Sequence, residues 1–120
     1  MLEIRVSQRQ TLSDHHLIQK ISKYLQRNLP EKTAVLSQEE LTRFSIQSVE
    51  DGKALEIYSE RALAKWAYLR LLTDHTLTDS EDIRAYMKPS EVPASIKVDR
   101  LMKSVAVAVD SQQQQSLGGP

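Results

Sequence analysis

At 120 residues the chain suits one domain of ordinary size, able to bury roughly two thirds of its unfolded surface. Sixteen basic and sixteen acidic residues cancel, so no overall field gathers DNA, RNA or an anionic membrane. Cysteine is absent, which removes disulfides, thiolate nucleophiles and zinc sites built on sulfur.

Taken in chain order, the signals are those of an all-α protein: a compact bundle of about five helices over residues 1–110, followed by a flexible, disordered Gln-rich tail over 111–120. Ile4, Arg5 and Val6 alternate as a strand would, but so short a run makes no sheet. Ser7 and Gln10 have the spacing of a capping box, so a first helix is predicted to start there or at Ser13 and to reach about Leu29. Its apolar positions Leu17, Ile18, Ile21, Tyr24, Leu25 and Leu29 step by three and four, and Pro30 stops it. Ser37 with Glu40 is a cleaner capping box. The helix it opens carries Leu41, Phe44, Ser45, Ser48 and Val49 on one side, with Gly52 expected as the left-handed exit.

Ser59 caps the most apolar segment, Leu63 to Leu72, whose large side chains occupy more than one face and mark the central helix. Thr78 and Glu81 suggest a short fourth helix with Ile83, Tyr86 and Met87 inward, ended by Pro89. A fifth begins near Pro93 or Ser95 and continues through Val98, Leu101, Met102, Val105 and Val109. The opening Met1 to Arg5 lacks the pattern of a secretory signal, and no apolar run approaches the roughly 20 residues of a membrane span. The expectation is a soluble, cytoplasmic protein without a membrane or nucleic-acid partner.

Reactive constellations are scarce. His15 and His16 are neighbours, about 100° apart on a helix, and do not chelate one ion as residues four apart can. Asp74, His75, Asp79, Glu81 and Asp82 form an acidic stretch between helices, without the order or the glycine of a calcium loop. Acidic residues also belong in a helix's first turn, where they meet the positive end of its dipole. The serines suit caps, and none lies in a nucleophile elbow. With three glycines, two of them in the tail, no phosphate-cradling loop is formed. No catalytic residue, metal or cofactor is assigned. Arg61, Lys65 and Arg70 read as a solvated basic face. Trp66, Tyr68, Leu69 and Tyr86 are named as candidate protein contacts on side-chain type, although a lone tryptophan on an apolar helix also suits a core.

Several ordered landmarks carry a resemblance. Met1 to Gln8 is similar to an M-L-x-I-R-x-x-Q start, and Leu29-Pro30 to a bulky residue and proline closing a first long helix. Tyr58-Ser59-Glu60-Arg61 looks like a shortened Y-x-x-x-S-E-R segment, and Pro93 to Leu101 like a P-x-S-x-K-x-D-R-L element. Together they resemble small helical proteins encoded in bacterial type VI secretion clusters beside genes for the spike, its tip, effectors and effector adaptors. The chain departs from that pattern in lacking a tryptophan-rich or glycine-marked loop before the final helix.

The resemblance implies a non-enzymatic accessory, co-chaperone or adaptor that helps a secretion effector, or its chaperone, load onto the spike. Two other functions stay open. One is an immunity protein presenting Asp74, Asp79, Glu81 and Asp82 to a toxin, and the other a small hydrolase built on His75 and nearby carboxylates. A structural subunit of a larger oligomer is the remaining class.

Overall fold

The computed structural model describes residues 2–118 in backbone and 15–108 in side chain. Six helices and no strand are found among the described residues: α1 (Leu2–Asn28), α2 (Pro30–Ala34), α3 (Gln38–Ala54), α4 (Glu60–Leu72), α5 (Glu81–Met87) and α6 (Ala94–Gly118). None is long and apolar enough to cross a membrane. The expected flexible tail over 111–120, and Val109, fall on side chains outside the described residues.

Helix α1 starts at Leu2, earlier than either predicted cap. Glu3, Arg5, Gln8, Arg9 and Gln10 are good helix formers, and no proline or glycine interrupts the chain before Pro30. Pro30 then plays two parts. It halts α1 because it has no N–H to give, and it opens α2 because its fixed φ and missing donor suit a first helical position. That second use makes the sixth helix.

The α3 capping box forms as read: Ser37 Oγ accepts from the Glu40 amide at 3.0 Å and Glu40 Oε1 accepts from the Ser37 amide at 3.0 Å. The hydrogen bonds from Ser37, that of its backbone amide foremost, hold the Glu40 carboxyl below the usual carboxylate range. Ser59 caps α4 by accepting from the Ala62 amide. For α5 the cap is Ser80, accepting from the Ile83 amide, and not Thr78. Thr78 is fully buried and its hydroxyl has no hydrogen-bond partner among the described residues, so it does not cap the helix it was expected to open.

Helix α4 is the centre of the bundle. It packs against α1, α3 and α6, and Ala62, Leu63, Trp66, Ala67, Leu69, Arg70 and Leu71 are all buried. Leu17, Ile21 and Leu25 reach it from α1, Leu41, Phe44 and Val49 from α3, and Val98 and Leu101 from α6. Lys65 Nζ meets Asp99 Oδ1 at 2.5 Å, and Lys20 Nζ meets Glu60 Oε1 at 3.1 Å, so exposed ion pairs tie α4 to α6 and α1.

Gly52 is not the left-handed exit of α3. It lies within the helix, and an added Cβ would stand 2.5 Å from Leu63 Cδ2, so the missing side chain is what lets α3 and α4 close together. The left-handed residue is Glu56, with φ 61°. The Glu56 amide bonds Lys53 O and the Ile57 amide bonds Gly52 O, both at 2.9 Å, the paired closure that satisfies the last helical carbonyls. The same closure ends α4, where Asp74 takes φ 50° and His75 φ 69°, and their amides bond Leu71 O and Arg70 O. A non-glycine residue in this region carries about 1–2 kcal/mol of strain, offset in part by about 0.4–1 kcal/mol because glycine loses more freedom on folding.

Two substitutions check this reading in thermal or urea melts. Glu56→Gly is expected to raise stability by up to about 1 kcal/mol. Gly52→Val is expected to lower it by about 1–3 kcal/mol, since buried Leu63 has little room to retreat.

Candidate functional site

Burying α4 on several faces places two polar side chains where they need partners. The first is Trp66, fully buried, whose indole Nε1–H donates to Asp51 Oδ2 at 2.9 Å. Asp51 also accepts both terminal nitrogens of Arg84, each at 3.0 Å. The Arg84 guanidinium lies 5.8 Å from the Trp66 ring centre, and Asp79 adds a looser contact at 3.6 Å. One carboxylate thus fastens α3, α4 and α5, and its hydrogen bonds hold the Arg84 guanidinium above its ordinary value.

The second is Arg70, read as part of a solvated face and found only 8% exposed. Its Nη1 donates to Ser48 Oγ at 2.8 Å and its Nη2 contacts His75 Nδ1 at 3.2 Å. Guanidinium can only donate, so Nδ1 is the acceptor and the neutral ring carries its proton on Nε2. Phe44 lies 5.1 Å beneath the guanidinium and edge-to-face with His75 at 5.5 Å. Burial pushes the guanidinium below its ordinary value.

The acidic stretch is dispersed. Asp74 is engaged by Lys32 Nζ at 2.8 Å and Asp79 faces Arg84, while Glu81 and Asp82 sit in the first turn of α5. Among the described residues no carboxylate is hydrogen-bonded to His75, and no three His, Asp or Glu side chains are grouped as metal ligands would be. His15 and His16 are exposed, with His15 against Gln19.

The apolar opening lies elsewhere. A groove of about 350 Å³ runs between the α3–α4 and α5–α6 connections, lined by Leu55, Tyr58, Met87, Pro89, Val92 and Pro93 among others. Lys97 forms part of its wall. Its Nζ donates to Lys88 O at 2.7 Å, satisfying a carbonyl at the end of α5, and lies 5.9 Å from the Tyr86 ring centre. Tyr58 stands at the groove 70% exposed, with no hydrogen bond or ring contact among the described residues.

The four candidate contacts do not form one surface. Trp66 and Leu69 are fully buried and have nothing to offer a partner, because α4 is covered on the faces they occupy. Tyr68 is half-buried, edge-to-face with Tyr24 at 6.3 Å. Tyr86, expected inward, is 37% exposed beside Lys97. Tyr58 was missed because it lies between helices, where periodicity has no say. Its place directly before the Ser59 cap was the available signal.

Asp51→Ala is expected to lower the unfolding free energy by about 2 kcal/mol, since it strips charge-assisted bonds from Trp66 and Arg84. Arg84→Ala should cost less, its side chain being one-third exposed. Urea unfolding followed through Trp66, the only tryptophan, measures both. Comparison with protein family models, curated protein sequences and solved structures gives no match to this chain in any of the three.

Proposed function

We propose that this chain is a non-enzymatic accessory protein that binds a type VI secretion effector, or the adaptor or chaperone carrying it, and aids loading onto the spike. The observation that carries the binding reading is Tyr58: a large aromatic, 70% exposed, beside an apolar groove, with no hydrogen bond or ring contact among the described residues. Aromatic side chains that a partner can desolvate against a pocket supply much of the energy of protein association. The secretion context rests on the landmark residues alone, one of which is the same Tyr58.

Three of the polar residues that a hydrolase or an immunity protein would use have duties in the fold. His75 accepts from Arg70, Asp74 is paired with Lys32, and Asp79 faces Arg84. Those pairings weaken the acidic surface on which the immunity reading depends. A cytoplasmic setting belongs to the accessory reading.

Co-expression with effectors and adaptors encoded beside a spike gene tests the proposal. The wild-type chain should co-purify with one of them, and Tyr58→Ala should lose about 2 kcal/mol of affinity, near thirtyfold. Its own melt should move by no more than about 0.5 kcal/mol, because the side chain is exposed. Undiminished affinity in Tyr58→Ala, or rescue of cells from a toxin without any effect on effector abundance or export, contradicts it.

A further inference from the structure

A second cavity, of about 350 Å³, opens where α3 meets the end of α4, and it presents an unusual charge. Arg70 lies in its wall, more than nine-tenths buried. Of the five N–H donors a guanidinium carries, those engaged go to Ser48 Oγ and His75 Nδ1, both neutral acceptors, and Nε–H has no partner. Among the described residues no carboxylate forms an ion pair with it. Asp51 is already occupied by Trp66 and Arg84. Asp51 and Asp79 act on this cation only through space, so a guanidinium held by a ring and two neutral groups, facing an open cavity, has no carboxylate in direct contact among the described residues.

The remaining walls specify which anion. Arg43 stands at the rim, 66% exposed, with a loose 3.6 Å contact to exposed Glu39 and the charge of Glu40 nearby. Glu40 and Asp74 also border the cavity, and their negative charge disfavours a dianion such as phosphate more than a singly charged group. Leu36, Phe44 and Leu71 supply apolar wall.

We propose that this cavity binds a carboxylate borne on an apolar body, the carboxylate meeting Arg70 and Arg43 and the body lying against Leu36, Phe44 and Leu71. The planar guanidinium matches a carboxylate in geometry as well as charge. Such a group is found on a free organic acid and on the C-terminal residue of a protein. The site is separate from the Tyr58 groove and stands whether or not that groove binds a partner.

Amide and arginine Nε–H shifts of the full chain, titrated in turn with 4-methylpentanoate, N-acetyl-leucine, N-acetyl-leucinamide and inorganic phosphate, test it. Saturable shifts at Phe44, Gln47, Arg70 and His75 are expected with both acids, with the uncharged amide and phosphate at least about tenfold weaker. Tighter binding of N-acetyl-leucine identifies a chain terminus as the source, and tighter binding of 4-methylpentanoate a free acid. Arg70→Met keeps the bulk of the side chain, removes its charge and should abolish the response. Arg43→Gln, at the exposed rim, keeps the fold and should weaken the acids about threefold or more. If Arg70→Met fails to fold, the acid-to-amide ratio on the wild type and the Arg43→Gln response decide alone. No saturation by about 10 mM, equal binding of acid and amide, phosphate binding as tightly as the acids, or acid binding unchanged in either variant overturns the proposal.

Discussion

A helix buried on several faces must bring a partner for each polar group it takes inside, and α4 brings two such groups, Trp66 and Arg70. Each finds a partner on α3, where Ser48 and Asp51 stand one turn apart on the side facing α4, and His75 adds a second for Arg70. Ser48 can accept from Arg70 because its own proton goes to Phe44 O at 2.8 Å. Ser45, bonded to Leu41 O and to Ser22 of α1 at 2.9 Å, does the same work toward the third helix. Small residues on this face, with Gly52 at its end, bring the helix close enough for short side chains to reach. Ser48 of α3 answers the polarity of α4, Ser45 that of α1, and Gly52 makes room for Leu63.

Much of this architecture was legible from residues whose physics is local. Ser37, Glu40 and Ser59 cap their helices because a cap needs only neighbours three residues away. Apolar spacing identified the faces of α1 and α6, and the all-round apolarity of the Leu63–Leu72 stretch identified the helix that others surround. Where the sequence misled, a distant contact decided. Gly52 is small for Leu63, eleven positions on, and Arg70 is inside because Ser48, Phe44 and His75 make a place for it. Thr78 and Ser80 offer the same chemistry two residues apart, and tertiary burial of Thr78 leaves the cap to Ser80.

The candidate sites were less legible for the same reason. Side-chain type alone pointed to Trp66 and Leu69, which the bundle needs for its core. What separates Tyr58 from them is its exposure, with no hydrogen bond or ring contact among the described residues, a property of the folded chain. The Pro93 to Leu101 element shows the converse. Lys97 closes the end of α5, Asp99 holds Lys65, and Val98 and Leu101 enter the core, so these residues are accounted for by docking α6. Lys97 is thereby only 4% exposed with no acidic partner among the described residues, its amine answered by a carbonyl and a ring.

Native-state hydrogen exchange measures the central claim directly, that α4 is the element whose exposure requires the whole bundle to open. The amides from Trp66 to Arg70 are expected to exchange slowest, at the free energy of global unfolding, with those of α2 and α5 released through smaller openings. Exchange across α4 as fast as across α5 would contradict the account, because Trp66 and Arg70 would then be leaving their partners while the rest of the fold stayed closed.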